Sequence, residues 1–558
     1  MHLSKFFRLS PMALAVALAA CGGGGDGDNS ADVTAALQKN VQNIVVIYAE
    51  NRSFDNLFGN FPGANGIGTV LGADGKPTSA YVPQKDRDGK SVLAELPQTW
   101  GGVTAPGQAK VVTQAQSAGL PNAPFRVETA FEKTAGVTLD TGTNTRDLYH
   151  RFFEHQMQIN GGKNDMFAAY GDSGGLVMGY FDYSRSGLYQ LAKQYVLADN
   201  FFQGAFGGSF LNHQYLICAC APEYPNADTA AAKPSITALD KDDKGNWRPH
   251  LTESGKSPAS ALDGPPAFVK SGNLTPANYF GDGKFYAVNT MQPSYQPSGN
   301  PPADASAPAY ATADNATTLP PQTQQNIGDL LSAKGVSWTW YGGAWNDALA
   351  DGMQDPAAKR SVIYAADANG VATTSAVDFQ PHHQPFNYYA NFDPATHAAD
   401  RQQHLKDYTD LVAQAASGTL PAVSFYKPEG VYNQHEGYAN LADGDAKITD
   451  LVQKLQASPQ WKNMVIVITY DEFGGVWDHV APPKADLVGP GSRIPAIIVS
   501  PLAKQGTVDH TQYDTASVLR LITRRFGLET LPGLQKRDDA LKANGLPPMG
   551  DLTNALTF

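Results

Sequence analysis

The sequence predicts an α/β protein with a largely parallel central sheet and helices on both faces. Short apolar runs recur along the chain, and their hydrophobicity is continuous rather than alternating, which is typical of strands buried on both faces. Helical patterns lie between these runs, as expected for a layered α/β fold. The runs are 43–49, 195–202, 336–343, 422–428, 463–470 and 493–500.

Two helices are predicted with defined ends. The segment DAKITDLVQKLQAS, at 445–458, precedes the fifth strand. The segment DTASVLRLITRRFG, at 514–527, lies near the end of the chain, where Asp514 can cap the helix and Gly527 can stop it. A catalytic domain is therefore predicted from 42 to 530, followed by a C-terminal tail from 531 to 558.

Two regions of the predicted domain are expected to be insertions. Residues 70–140 are rich in Gly, Ala, Pro and Thr, and residues 221–320 carry many of the 38 prolines of the chain. Stretches of this length without strong periodicity inside a compact domain are usually lids or surface excursions. We expect them to form a lid or cap.

The N-terminus is expected to be a processing segment. Residues 1–21 combine a positive start, an apolar stretch too short to span a bilayer, and LAAC, which resembles the lipobox of bacterial lipoproteins. Residues 22–41 begin with a glycine and aspartate run and are predicted to be a flexible tether. The protein is then exported, with a lipid anchor at Cys21, and is periplasmic or associated with the outer membrane. An ordinary secretory signal is the alternative.

Composition excludes some partners. The chain of 558 residues has 42% hydrophobic and 17% charged residues, which describes a globular protein, and its formal net charge is -12. No run of Lys or Arg is present, so no nucleic-acid partner is expected, because such binding needs a dense cationic face. No pattern indicates an oligomeric state.

Cys218 and Cys220 are separated by one residue, a spacing that strains a disulfide. They are interpreted as small buried residues, with a strained redox pair as the alternative.

Polar residues that suit a metal site follow three of the predicted strands. Glu50 and Asn51 follow the first strand, and Asp471 and Glu472 follow the fifth. Ser209 follows the second strand among glycines. Functional groups of doubly wound sheets gather at the carboxyl ends of strands, and these oxygen ligands suit a hard divalent cation. A serine beside such a cation can become a nucleophile, although each acidic residue taken alone also fits a helix cap.

Four ordered segments resemble a known family. AENRSFDNLFG, NGGKNDMF, GGSFLNHQY and TYDEFGGVWDHVAPP are similar to the signature segments of the bacterial phosphoesterase family, which joins acid phosphatase A-type enzymes to phosphatidylcholine-preferring phospholipases C. That family belongs to the alkaline phosphatase and sulfatase superfamily, so the resemblance implies an alkaline phosphatase-like fold. It extends from about residue 42 to about residue 530. Leu211 stands where the family's nucleophile motif has proline.

The resemblance assigns roles to particular residues. It implies that Glu50, Asn51, Asp471 and Glu472 bind one divalent metal ion, for which Mg²⁺, Ca²⁺ or Mn²⁺ is favoured and Zn²⁺ stays open. Ser209 is implied to be the nucleophile. Four histidines are implied to contact phosphate or to act as general acid: His155, His382, His383 and His435. Lys163 and Asp165, in NGGKNDMF, and His479 are left open between a role at the site and a structural one.

The sequence therefore predicts metal-assisted hydrolysis of a small phosphoester through a phosphoserine intermediate. An acid phosphatase acting on phosphomonoesters is the favoured interpretation, because the chain ends soon after the catalytic core. Phospholipase C activity on phosphatidylcholine is the alternative. A non-catalytic lipoprotein that binds a metal or an anion is a more distant one, since it would have no use for Ser209.

Overall fold

The computed structural model describes residues 26–225, 235–241, 247–249, 257–267, 275–276, 279–364, 374 and 376–558. The predicted signal peptide and Cys21 lie outside these residues. The strands are β1 Asn43–Ala49, β2 Phe125–Arg126, β3 Gly179–Tyr180, β4 Val196–Ala198, β5 Phe201–Phe202, β6 Ala238–Lys241, β7 Trp247–Pro249, β8 Thr275–Pro276, β9 Trp338–Gly342, β10 Leu405–Asp407, β11 Val423–Lys427, β12 Met464–Tyr470, β13 Ala496–Val499, β14 Thr507–Asp509 and β15 Tyr513–Asp514.

The α-helices connect these strands and pack around the sheet. They are α1 Asp26–Asn40, α2 Phe54–Phe58, α3 Val127–Ala130, α4 Glu132–Ala135, α5 Phe152–Ile159, α6 Phe167–Tyr170, α7 Gly187–Gln194, α8 Ser209–Cys218, α9 Ile327–Ala333, α10 Trp345–Gly352, α11 Ala398–His404, α12 Tyr408–Ser417, α13 Leu441–Gln456, α14 Ala516–Phe526 and α15 Pro532–Ala543. Within the described part of the chain, no helix is long and apolar enough to cross a membrane.

The central sheet has eight strands in the order β10-β9-β11-β1-β12-β13-β4-β14. Only β13 runs against its neighbours, so the prediction of a largely parallel sheet is confirmed. All six predicted runs contribute a strand to it. β1 and β12 are buried along their whole length, as their continuous apolar sequences require.

Both predicted helices are present, but the start of α13 and the role of Asp514 differ from the prediction. α13 starts earlier than expected because the side chain of Asn440 caps it. α14 ends at Gly527, which adopts a left-handed conformation with φ 58°. Asp514 does not cap α14: its carboxylate instead accepts a hydrogen bond of 2.6 Å from Arg537 Nη1.

Two predicted boundaries of the domain are corrected. Residues 26–40, predicted to belong to a flexible tether, form α1, and its buried Leu37 together with the donation from Gln38 Nε2 to Arg524 O docks it on the domain. Residues 531–558, predicted to be a tail, contain α15 and buried apolar residues such as Leu552. Both segments bury apolar surface, which holds them on the domain.

The described residues of the two predicted insertions have little regular structure but contribute to the core. Leu93, Val103 and Val112 are buried in the first, and Met291 is buried in the described part of the second. Their role as a lid or cap stays a prediction.

The two cysteines are paired, as in the alternative interpretation, rather than being separate buried residues. Cys218 and Cys220 form a disulfide at the end of α8, with a Cα–Cα distance of 5.1 Å. Ala219 between them adopts a left-handed conformation, which turns the chain back on itself.

Candidate active site

Three adjacent strands of the sheet carry polar side chains to one edge. β1 lies between β11 and β12 and runs parallel to both, with Ala49 opposite Tyr470. Glu50 therefore emerges beside Asp471, and Lys427 is the last residue of β11. All three side chains are buried. The parallel arrangement thus brings together charges that are far apart in the sequence.

The carboxylate of Asp471 is oriented by backbone groups. Its Oδ1 accepts hydrogen bonds from the N–H of Asn51, at 3.0 Å, and from its own neighbour Glu472, at 2.8 Å. Its Oδ2 accepts no hydrogen bond. Asn51 adopts φ 63°, a conformation uncommon for residues other than glycine, and this turns the chain sharply at the end of β1.

Glu50 is held in a similar way. Its Oε2 accepts from Asn433 Nδ2 at 2.8 Å and from Tyr438 OH at 3.2 Å. Its Oε1 lies 3.0 Å from Lys427 Nζ and contacts His383 Nε2. One oxygen of each carboxylate is thus fixed by the fold, while the other points to the interior of the site.

Ser209 is the first residue of α8, and its hydroxyl lies among these groups. Its Oγ is 3.3 Å from Asn51 Oδ1 and 3.4 Å from Glu472 Oε1. The side chain is almost buried, with 6% of the residue exposed. The first N–H groups of a helix have no partner inside the helix, so the N-terminus of α8 presents donors beside this hydroxyl.

Lys427 is a site residue that sequence reasoning missed. Its ammonium lies 3.0 Å from Glu50 Oε1 and 3.7 Å from Asp471 Oδ2, and it is fully buried. A lone lysine at the end of an apolar strand was the available signal. Its significance depends on β11 lying next to β1, which the sequence does not state.

His383 and His213 line one side of the site. The two rings stack at 5.1 Å, and His213 Nδ1 lies 2.8 Å from the carbonyl oxygen of Ser209. One donor atom from each of Glu50, His213 and His383 lies within 4.8 Å of the others. His382 is half-buried, with its ring 4.7 Å from that of His383. His213 was quoted in the nucleophile motif but not predicted as a site residue.

His150 and His435 line the opposite side. His150 Nε2 lies 3.6 Å from Glu472 Oε1, and the ring of His435 is 5.6 Å from that of His150. Both residues are half-buried, so they form the wall nearest to solvent. Of the two, His435 was predicted and His150 was not.

The prediction that His155 contacts phosphate or acts as general acid is corrected. His155 lies on the buried face of α5, where Nδ1 accepts from the N–H of Gly207 and Nε2 bonds to Ser492 Oγ. Its ring stacks on Phe473 at 3.6 Å. Both nitrogens are occupied, and burial lowers the pKa of the ring well below its usual value. In the sequence, His150 differs from His155 in that it precedes α5 whereas His155 lies within that helix.

The residues left open by the sequence have structural contacts. Asp165 Oδ2 pairs with Lys85 at 2.8 Å, and Asn160 Nδ2 donates to Asp165 Oδ1 at 2.7 Å. His479 pairs with Asp55 at 2.6 Å. Within the described part of the chain, Lys163 forms no hydrogen bond or ion pair with the site residues.

The buried carboxylates give the site an excess of negative charge. Burial raises the pKa of Glu472 well above its usual value, and the neighbouring Asp471 raises it further. Burial also raises the pKa of Asp471. Burial opposes ionisation of Glu50 too, but His383 and Lys427 outweigh it and lower that pKa. Of these three acidic groups, Glu50 and Asp471 face the ammonium of Lys427.

These residues fit a divalent cation. Asp471 Oδ2 and His213 Nε2 are buried atoms that make no hydrogen bond, whereas Glu50 Oε1 is partnered only by His383 and Lys427 among the described residues. Buried polar atoms are normally bonded, so unbonded acceptors beside the cluster of Glu50, His213 and His383 indicate a cation site. Of the four predicted ligands, Glu50 and Asp471 contribute atoms to this group, while Asn51 Oδ1 and Glu472 Oε1 lie 3.3 Å and 3.4 Å from Ser209 Oγ. Their role as ligands stays a proposal.

Two solved structures show a distant similarity to the chain. A protein in the alkaline phosphatase superfamily from Vibrio parahaemolyticus gives a TM-score of 0.29 at 9% identity, covering 64% of each chain. A phosphonate monoester hydrolase from Silicibacter pomeroyi gives a TM-score of 0.26 at 11% identity, covering 62% of this chain and 69% of that chain. The fold assignment rests on the sheet topology itself.

Curated relatives match over part of their length. Phospholipase C B of Mycobacterium tuberculosis is 28% identical over 174 residues, which cover 27% of this chain and 32% of the relative. Non-specific phospholipase C6 of Arabidopsis thaliana is 30% identical over 146 residues, covering 21% and 28%. Non-hemolytic phospholipase C of Burkholderia pseudomallei is 28% identical over 213 residues, covering 31% and 29%. The chain spans less than a third of the length of each of these relatives.

A family model covers most of the chain. The model described as Phosphoesterase family matches residues 41–529. This range includes all four signature segments, so the resemblance to the phosphoesterase family is confirmed. With its paired strand-end carboxylates, its serine at a helix N-terminus and a match over most of its length, the chain belongs to the Phosphoesterase family.

Proposed function

We propose that the chain hydrolyses phosphoesters at this site with Ser209 as the nucleophile. The observation that carries the proposal is the place of the Ser209 hydroxyl, 3.3 Å from Asn51 Oδ1 and 3.4 Å from Glu472 Oε1. A nucleophilic serine needs an acceptor for its proton and donors for the phosphate oxygens. Glu472 supplies the first, and the N-terminus of α8 supplies the second.

The first half-reaction forms the phosphoserine. Ser209 Oγ forms a bond to phosphorus as the bond from phosphorus to the leaving oxygen breaks, and the hydroxyl proton passes to Glu472. A protonated His150 or His435 gives its proton to the leaving oxygen, since these rings form the wall nearest to solvent. A divalent cation bound by Glu50, Asn51, Asp471 and Glu472 would supply positive charge that favours the ionised serine oxygen.

The second half-reaction restores the enzyme. Water attacks phosphorus from the side that the leaving group has vacated and gives a proton to the same histidine. The bond from phosphorus to Ser209 Oγ breaks, and the serine takes back the proton held by Glu472. Positioning and charge compensation account for most of the catalysis in such transfers.

Phosphomonoesters are the substrate class that we propose, which makes the protein an acid phosphatase. A terminal phosphate has three free oxygens, and the walls of the site offer Lys427 and several imidazoles to compensate their charge. Phosphodiesters of the phosphatidylcholine type are the second candidate. The observation that favours them is that the three relatives described above are named phospholipases C.

The test uses purified protein with p-nitrophenyl phosphate and p-nitrophenylphosphorylcholine at pH 5.5 and 7.5, with and without a chelator. Ser209→Ala is expected to reduce turnover by roughly 10⁴-fold or more, as is usual when a nucleophile is removed. Ser424→Ala is the matched control, because Ser424 is a buried serine in β11 away from the nucleophile. It should keep wild-type turnover.

Each outcome decides between the candidates. Monoester hydrolysis that Ser209→Ala abolishes supports the phosphatase, whereas preference for the choline diester supports phospholipase C activity. Full turnover by Ser209→Ala would refute the nucleophile. No turnover of either substrate by the wild type with any added metal would favour a binding protein.

A further inference from the structure

A second group of metal-binding side chains lies at the outer wall of the site. One donor atom from each of Asp147, His150 and His435 lies within 4.8 Å of the other two. Asp147 is exposed, with 56% of its side chain accessible, and its Oδ1 is 3.9 Å from His150 Nδ1. None of the three belongs to the ligand set proposed for the first cation.

Both imidazoles are already oriented for ligation. Nδ1 of His150 is hydrogen-bonded to the carbonyl oxygen of Leu148, and Nδ1 of His435 is hydrogen-bonded to the carbonyl oxygen of Glu436. A neutral ring that donates through Nδ1 keeps its lone pair on Nε2. Histidines that bind metals usually donate their other N–H to a carbonyl or carboxylate in this way. His435 is further held by stacking on Tyr438 at 4.5 Å.

The surrounding charge favours a cation at this position. Glu472 Oε1 lies 3.6 Å from His150 Nε2, and Asp147 adds a carboxylate on the solvent side. Among the described residues, the carboxylate of the exposed Asp147 has only the 3.9 Å contact with His150, so no hydrogen bond there holds it away from the two rings. A cation that reaches the site from solvent therefore meets two acidic groups and two imidazole lone pairs.

We propose that Asp147, His150 and His435 form a second metal site that takes a borderline transition-metal ion such as Zn²⁺. Two imidazoles and one carboxylate are a typical three-ligand set for zinc, with a fourth position open to solvent. The first site differs because carboxylate and amide oxygens predominate among its proposed ligands. The two sites thus differ in the class of ion that they prefer, and excess Zn²⁺ fills both.

Occupancy of the second site inhibits hydrolysis, and this consequence rests on the proposed function. Zn²⁺ takes the Nε2 lone pairs of His150 and His435, which are the groups proposed to pass a proton to the leaving oxygen. The ion also lies between the site and solvent, at the wall formed by His150 and His435. Excess Zn²⁺ is therefore an inhibitor of the enzyme.

The test counts Zn²⁺ bound to the full chain by equilibrium dialysis. The wild type is expected to bind two Zn²⁺ ions per chain. At free Zn²⁺ concentrations that fill both sites of the wild type, Asp147→Asn is expected to bind one. Loss of an outer-shell partner of a metal ligand weakens binding by about 10–100-fold, so loss of a ligand should weaken the second site by about 100-fold or more. Asp74→Asn is the matched control, because the side chain of Asp74 is 62% exposed and lies outside the cluster.

Turnover provides the second measurement. Asp147 is not part of the proposed catalytic groups, so Asp147→Asn should keep basal turnover while its inhibition by Zn²⁺ shifts to about 100-fold higher concentration. Equal Zn²⁺ counts and affinities in the wild type and Asp147→Asn would overturn the site. Two bound ions without inhibition would overturn the inhibitory role alone. If no phosphoester is hydrolysed, the proposed function fails while the dialysis still decides the metal site.

Discussion

Replacing Lys427 by methionine should destabilise the metal-free protein far more than the metal-loaded protein. Lys427 Nζ lies 3.0 Å from Glu50 Oε1 and 3.7 Å from Asp471 Oδ2, and all three side chains are fully buried. Methionine has a similar length and no charge, so it preserves packing and removes only the ammonium. The two carboxylates then lose their closest cation.

The magnitude follows from these distances. At an effective dielectric constant of about 20, each contact is worth roughly 5 kcal/mol before desolvation is subtracted. Removing one partner from a buried ion pair destabilises proteins by about 3–5 kcal/mol, because the other charge stays buried without compensation. A chain of this size has an unfolding entropy of about 1.1 kcal/mol/K, so the melting temperature should fall by about 3–5 °C.

The assay is thermal unfolding followed by calorimetry, with a chelator and with saturating Mn²⁺. A divalent cation compensates the same carboxylates, so the difference between Lys427→Met and the wild type should narrow when the metal is present. Lys85→Met is the matched control, because Lys85 pairs at 2.8 Å with the buried Asp165 outside the proposed ligand set. Its loss of stability should not depend on metal. An equal difference for Lys427→Met with and without Mn²⁺ would refute the reasoning.

Two further predictions test the structure outside the site. Arg537→Met should lower stability by about 3–5 kcal/mol, because Arg537 Nη1 pairs at 2.6 Å with the fully buried Asp514, and urea unfolding unchanged by this substitution would contradict the docking of α15. His479→Gln should destabilise the protein most at pH 6 and below. Burial lowers the pKa of His479, but pairing with Asp55 outweighs this and raises it, so the stabilisation is complete below the unfolded pKa of about 6.5 and is lost as pH rises through the folded value. Equal differences from the wild type in urea unfolding at pH 5.5 and pH 9 would contradict this assignment.

The buried strands of the fold could be predicted well from the sequence. The first run has the observed bounds of β1, and the fifth differs from β12 by one residue, because strands buried on both faces need continuous apolar sequence. The edge strands β10 and β14 were not predicted. Each has three residues, and Lys406 and Asp509 interrupt any apolar pattern there.

The domain ends were harder to predict because docking depends on the partner surface. α1 follows a glycine-rich start and contains few apolar residues, and its contacts with the domain, the burial of Leu37 and the hydrogen bond from Gln38 to Arg524, show that it is not a tether. From the sequence alone, Arg537 would be predicted to be an exposed charged residue on the surface of a helix. Its burial depends on Asp514, 23 residues earlier in the chain.

The sequence by itself determined the family, the parallel sheet, and the strand-end residues Glu50, Asn51, Asp471 and Glu472 with Ser209 as candidates for one site. These depend on local patterns, in which an apolar run ends at a polar pair. Only the tertiary structure decided that Lys427 and His150 join them and that His155 does not. Membership of a site depends on which strands are neighbours and which face of a helix is buried, and neither property is contained in the few residues on either side of a side chain.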